Sequence, residues 1–259
     1  MHFKDKVVII SGIGAGLGIE LARLAAREGA KVAISCRTES FLADSEKELK
    51  DAGADVLAQR CDISQDADCV ALAKAVTDRW GRIDALVNNG TRTLPFELFE
   101  NADLADWQTC HSITLFGALR MAHACVPGLK AAGGGAIVNV SSMAHKKPLA
   151  MQGAYASAKA GLEGATHHLA LELGQYGIRV NTARMGWMDG PPVDAYLSGV
   201  AQMKGISEDE VRQPIIDGIA LGKIPDDADC AKAVMFLCTD WAAVVSGAAL
   251  DINGGEWMP

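Results

Sequence analysis

No run of about 18 apolar residues, the length a membrane-spanning helix needs, occurs in the 259-residue sequence. The chain also lacks the basic and then apolar opening of a secretory leader, so the expectation is a cytoplasmic protein with no membrane partner. Basic clusters are missing too. The 24 Lys and Arg side chains are outnumbered by 32 Asp and Glu, for a formal net charge of -8. Nucleic acid is therefore excluded as the main partner, because neutralising phosphates needs clustered cations. The short pair Lys146-Lys147 reads as a solvated loop. Seven cysteines, an odd number without any Cys-x-x-Cys pair, exclude a disulfide framework and read as reduced thiols with no metal to hold. Internal repeats, linkers and low-complexity tracts are absent. What remains is the composition of one globular domain over residues 1–259, 49% hydrophobic and 5% aromatic, with 27 glycines for turns and close backbone approach.

The order of elements is regular. Lys6 to Ser11 (KVVIIS) predicts a short buried strand, followed by a glycine turn and a helix with an apolar stripe through Leu17, Leu21, Leu24 and Ala25. Gly29 closes that helix, and Lys31 to Cys36 supplies a second strand. The alternation predicts helices near 40–52 and 67–80, strands near 55–60 and 85–88, and one long helix over 103–129. Strand 136–141, helix 155–176 and strand 179–183 follow. Parallel strands need crossovers, so this rhythm predicts an α/β, doubly wound parallel sheet of about seven strands with helices on both faces. From Met185 to about Leu221 the rhythm breaks, with Pro191, Pro192 and the acidic stretch 208–210; this excursion is expected to be a substrate lid containing helices. A helix over 229–237 and a strand over 248–252 complete the sheet.

The turn SGIGAGLG, Ser11 to Gly18, follows a strand and opens a helix, which places backbone N–H groups and a positive helix end to receive a pyrophosphate. Gly12 permits the tight turn, Gly16 the approach of a ligand and Gly18 the packing of helix on strand. Further on, Tyr155 and Lys159 lie four positions apart, on one helix face. Ser142 precedes Tyr155 by thirteen residues at the carboxyl end of a predicted strand, where open α/β sheets place ligands.

These spacings resemble the short-chain dehydrogenase/reductase family. The turn reads G-x-x-x-G-x-G, LVNNG (Leu86 to Gly90) is similar to the family's N-N-A-G, and INGG to its terminal D-G-G. The resemblance covers the whole chain and implies a Rossmann-type fold with a Ser142-Tyr155-Lys159 triad. It implies a small-molecule alcohol or ketone as substrate and a homotetramer or homodimer. Gly12, Gly16, Leu17, Gly18, Asp62, Ile63, Asn89, Gly90, Tyr155, Lys159, Gly186 and Met188 are the implied cofactor contacts. At the end of the second strand, Cys36-Arg37 offers a guanidinium and no carboxylate, which favours NADP(H) over NAD(H), with NAD(H) left open. Tyrosine with its ordinary pKa of about 10 is a poor base, so Lys159 is expected to lower it, while Ser142 bonds the substrate oxygen.

Met143, His145 and Trp187 are expected at the substrate, with Met151 and Trp257 as further apolar candidates. The chain departs from the family at Thr114, usually Asn, at Met185, usually Pro, and at Gly190, usually Thr. Those departures keep two other readings open: a nicotinamide-binding regulatory protein without turnover, and an epimerase or lyase that retains its cofactor.

Overall fold

The computed structural model describes residues 1–94 and 96–259. Seven strands form one sheet, β1 (Val7–Ser11), β2 (Lys31–Ser35), β3 (Val56–Ala58), β4 (Ala85–Asn88), β5 (Gly135–Ser142), β6 (Ile178–Met185) and β7 (Ala249–Ile252). Their spatial order is β3-β2-β1-β4-β5-β6-β7 and every pairing is parallel. After β3 the chain crosses back over β1 to start β4, so a crevice opens at the carboxyl ends of β1 and β4.

Both faces of the sheet are covered. Val8 and Ile10 of β1 pack beneath α1 (Leu17–Arg27), α2 (Glu39–Asp51) and α9 (Asp227–Phe236). Val7 and Ile9 point the other way, to α3 (Asp66–Trp80) and α5 (Phe116–Ala131). All four side chains are buried, as the two-residue period of a doubly covered strand requires. Among the described residues no helix is long and apolar enough to cross a membrane.

The helix expected over 103–129 is two helices, α4 (Leu104–Thr114) and α5, which break at Leu115. The apolar pattern runs straight through the break, so only tertiary contacts mark it. Arg120 reaches back to donate to the Ser112 carbonyl at 2.9 Å, and the Thr114 hydroxyl is drawn sideways into the loop after β4. The helix expected to end at 176 is α6 (Gly153–Leu173) followed by a single 3-10 turn. The excursion after β6 holds α7 (Pro191–Lys204) and α8 (Glu208–Asp217).

Candidate active site

The glycine turn is built by contact. Gly12 has φ +87, and a Cβ there would stand 2.3 Å from Gly90 Cα, so the turns after β1 and β4 touch backbone to backbone. Asn89 fixes the pair by donating from Nδ2 to the Gly12 carbonyl at 2.7 Å. At Gly18 a Cβ would lie 2.8 Å from Ile13 Cα, which lets α1 start directly on the turn. No side chain caps α1. Ile19 N–H donates to the Gly14 carbonyl at 3.2 Å, which leaves the N–H groups of Leu17 and Gly18 for a ligand, and a phosphate has the matching charge and acceptors. The Ser11 hydroxyl, buried beneath the turn, has no partner among the described residues. The residues fit a dinucleotide phosphate.

The chemistry-bearing side chains converge one strand over. Ser142 ends β5, Tyr155 lies in the first turn of α6, and both line a cavity of about 290 Å³. Lys159, one turn further, is 2% exposed; its Nζ lies 5.6 Å from the Tyr155 ring centre and donates to the Val140 carbonyl at 2.6 Å. A polar ladder holds α6 against the sheet. Asn88 donates to Asn139 and Asn139 to Thr166, each at 2.9 Å, while Ser141 donates to the Lys159 carbonyl at 3.2 Å. Such buried networks fix relative position more than they add stability.

Burial controls both ionisable groups. It pushes the Tyr155 phenol above its usual range, with the Ser142 hydroxyl opposing, and brings the Lys159 ammonium down to about 8. In the site without dinucleotide the Lys159 ammonium is turned to Val140, and desolvation is the larger influence on the phenol. A protonated phenol beside a cavity is equipped to donate a proton to a carbonyl oxygen, and Ser142 to donate a second hydrogen bond there. Ser142 also caps the short 3-10 turn over Met143–His145 by accepting from Ala144 N at 3.2 Å.

The other expected residues divide. Met143, Met151, Gly186 and Trp187 line the cavity, with Met151 held at the unusual φ of +69. His145 does not. It turns beneath the site, where Nε2 faces Glu163 at 3.1 Å, and burial outweighs that carboxylate to hold the imidazole below its ordinary range. Met188 packs into the core on the α1 face, and Trp257 lies over Arg184 with the guanidinium 5.1 Å from its ring centre; neither lines the cavity. The Leu17 side chain is core, leaving its backbone to the crevice. Ile63 is buried with its Cδ1 against Gly90 and Gly117. Asp62 turns one carboxylate oxygen onto the Ser64 backbone and hydroxyl, at 2.9 and 2.7 Å. Arg37 is exposed and forms no ion pair among the described residues. The lysine pair is engaged rather than simply solvated: Lys146 pairs with Glu163 at 3.6 Å and Lys147, on the cavity wall, with Glu256 at 3.0 Å.

Two of the departures have structural reasons. Thr114, fully buried, accepts from Arg92 N at 3.0 Å and shares a 3.2 Å hydrogen bond with Thr91, so its hydroxyl anchors the loop after β4. Met185 extends β6 opposite Ser142 and Ile252, at a ladder position where proline would bring no N–H. Several residues carry no motif and emerge only from the fold. Phe96, Trp107 and Tyr196 line the cavity, and Trp187 meets Tyr196 at 5.1 Å. Beneath it Arg184 holds Glu163 through Nε at 3.1 Å and Nη2 at 2.7 Å, and Asp251 through Nη1 at 2.7 Å.

Known proteins share this fold. A family model described as enoyl-(acyl carrier protein) reductase matches residues 12–256. The 7alpha-hydroxysteroid dehydrogenase of Escherichia coli is 30% identical, covering 98% of this chain and 95% of that protein. The cis-4-hydroxycyclohexanecarboxylate dehydrogenase of Sinomonas cyclohexanicum is 32% identical, over 98% and 97%. A crystal structure of actinorhodin polyketide ketoreductase with NADPH superposes with a TM-score of 0.91 at 29% identity, covering 97% of each chain. A match of this length, on a chain that carries the glycine turn, the seven-strand sheet and the Ser, Tyr and Lys in place, makes the chain a member of the short-chain dehydrogenase/reductase family, an oxidoreductase of CH–OH and C=O groups.

Proposed function

We propose that the protein transfers a hydride between NADP(H) and the carbonyl or alcohol group of a small, largely apolar, cyclic substrate. One observation carries this reading: Ser142 and Tyr155 stand together on the wall of a cavity otherwise built largely from side chains such as Leu94, Trp107, Met143, Leu149, Trp187 and Tyr196. When bound, the nicotinamide supplies or accepts the hydride. The protein's own groups do the rest. Tyr155 gives its phenolic proton to the carbonyl oxygen, Ser142 holds that oxygen, and Lys159 stands behind the phenol to stabilise the phenolate that forms. In the oxidative direction the phenolate takes the hydroxyl proton back. The cofactor would be held by the backbone of Gly12, Gly16, Leu17 and Gly18, by Asp62 and Ile63 at the adenine, by Asn89 and Gly90, and by Tyr155, Lys159 and Gly186 at the nicotinamide ribose and ring. Helices α7 and α8 act as the substrate lid, and the working form is a homotetramer or homodimer. The relatives named above act, by their names, on a hydroxysteroid, a hydroxycyclohexanecarboxylate and a polyketide, the first two of them ring compounds, which supports the choice of substrate class.

A panel of cyclic and open-chain ketones, offered with NADPH and with NADH and followed by cofactor absorbance, tests the reading. Turnover of a cyclic ketone with net consumption of reduced cofactor is expected; turnover without net consumption would mean an epimerase or lyase instead.

Arg37 supports the preference for NADP(H), since it follows β2 with its guanidinium free for a 2'-phosphate. Replacing it tests that choice directly. A hydrogen bond to a charged group is worth about 1.5–3 kcal/mol, so Arg37→Asp should shift the NADPH-to-NADH affinity ratio toward NADH by roughly 10- to 100-fold. Fluorescence titration showing tighter NADH binding in the wild type, with a ratio that Arg37→Asp leaves unchanged, would reverse the assignment.

A further inference from the structure

Asp227 is a buried acid without a partner. It is the first residue of α9 and 8% exposed, and among the described residues neither a cation nor a hydrogen-bond donor meets its carboxyl. Its place is unusual. Oδ2 lies 3.0 Å from where a Cβ on Gly16 would stand and 1.9 Å from where a Cβ on Gly190 would stand. The carboxyl therefore fills the gap between the glycine turn and the start of α7, and position 190 has no side chain because an oxygen from α9 already occupies its space.

The surrounding charges leave Asp227 as the odd one. From α1 come Glu20 and its partner Arg23; from the segment after β6, Asp189, and from α7, Asp194, both held by Arg212 of α8. Asp226 is paired with Lys223 and Asp229 with Lys232, while β6 presents Ala183 and Met185 to this face. The Cys230 thiol on the same helix is pushed up to about 12 and stays neutral. Each of the acids just named has a cation among the described residues, and Asp227 has none.

An ionised carboxylate at this point would be desolvated, beside other acids, and set against the anion that the uncapped start of α1 is shaped to receive. A neutral carboxyl removes all three penalties and gains an O–H to donate, and an O–H bond to a phosphate oxygen is of the strong, charge-assisted kind. We infer that Asp227 is a cofactor-binding residue: its carboxyl, protonated, donates a hydrogen bond to a phosphate oxygen of the dinucleotide seated on the glycine turn. The inference rests on the reading of that turn as the dinucleotide site. Burial and the neighbouring acids push Asp227 up to about 6, so near neutral pH binding draws one proton from solvent onto this carboxyl.

The test is the pH dependence of dinucleotide affinity, read by protein fluorescence on the full chain from about pH 5.5 to about pH 7.5, short of the range in which Lys159 titrates. NADH is the primary probe because it lacks a 2'-phosphate that titrates in the same range; NADPH is compared between variants, where that titration cancels. For the wild type Kd should rise toward tenfold per pH unit above about 6. Asp227→Asn keeps a donor and cannot ionise, so its Kd should be flat across this range and at least about tenfold lower than the wild type's at the alkaline end. Asp227→Ala, also flat, should bind roughly 5- to 10-fold more weakly than Asn, the loss of one hydrogen bond. Equal pH slopes in wild type and Asp227→Asn overturn the inference, as does an Ala variant that binds as tightly as Asn, which would leave the carboxylate as a repelling charge only. Failure of the wild type to bind either dinucleotide at any pH would instead remove the reading of the site on which the inference stands.

Discussion

Tyr155→Phe is expected to lower turnover by about 10² to 10⁴, the usual contribution of a positioned general acid, while dinucleotide affinity stays within a few-fold of wild type. The split follows from the geometry. The ring fills the same space against Trp107, Cys110, Ala154 and Ala158, so the cavity keeps its shape and α6 its packing. Only the phenolic proton is lost, and neither Ser142 nor the buried Lys159 replaces it: the serine hydroxyl remains neutral at working pH, and the ammonium is directed at Val140. Steady-state kinetics alongside fluorescence titration separates the two effects. Near-normal turnover would remove Tyr155 from the mechanism. Because Lys159 is brought down to about 8 by burial, wild-type carbonyl reduction should also decline as pH rises past that value, where the charge behind the phenol is lost.

Arg184→Met should be the most destabilising single change in the vicinity of the site. Arg184 is 5% exposed and bridges Glu163 of α6 to Asp251 of β7, with Trp257 over its plane. Removing it takes the shared cation from Glu163, which is left with His145 and Lys146, and from Asp251. Breaking a buried pair in this way costs about 3–5 kcal/mol, or roughly 10 °C in Tm for a chain of this size. The double variant Arg184→Met/Glu163→Gln should recover part of the loss, since one of the stranded charges is gone. The pH dependence has a definite sign. Burial pushes Glu163 up, but Arg184 more than offsets it and holds the carboxyl below its ordinary 4.5; the stability it contributes is complete above that value and is lost as pH falls through the lower folded one. The gap in Tm between wild type and Arg184→Met should therefore narrow under acid conditions. A gap that is constant with pH, or a loss below about 1 kcal/mol, would show the cluster to be incidental.

Covalent spacing separates what the sequence makes legible from what it does not. Tyr155 and Lys159 share a face because one helical turn fixes their relation, and Gly12, Gly16 and Gly18 show themselves because a turn between strand and helix needs those φ values or contacts whatever surrounds it. The sheet was readable for the same reason, each strand being a short apolar run between turn residues. Directions that tertiary packing decides were not readable. His145 is three residues from Ser142, yet it points into the ion cluster below the cavity rather than into it. Met188 and Trp257 were equally open to either fate, and an apolar side chain carries no mark of which wall it joins. The break at Leu115 is invisible in an apolar pattern that continues across it, and it depends on a guanidinium five residues later capping the Ser112 carbonyl. Asp227 belongs to no local pattern, since its role is defined by two glycines from distant parts of the chain.

The ion cluster and the segment after β7 also impose an order on the assembly of the site during synthesis. Gly186 is held by the Ile252 carbonyl, Arg184 by Asp251, and Lys147 by Glu256, so the floor under Ser142 and Trp187 is completed by partners that lie far later in the chain, 67 positions on for Arg184 and 109 for Lys147. A nascent chain paused in α9 would have the glycine turn, Tyr155 and Lys159 already translated, yet the arginine would still be waiting for its second carboxylate. A chain cut before Asp251 would keep Ser142, Tyr155 and Lys159 yet leave Arg184 without its second carboxylate and Gly186 without the Ile252 carbonyl.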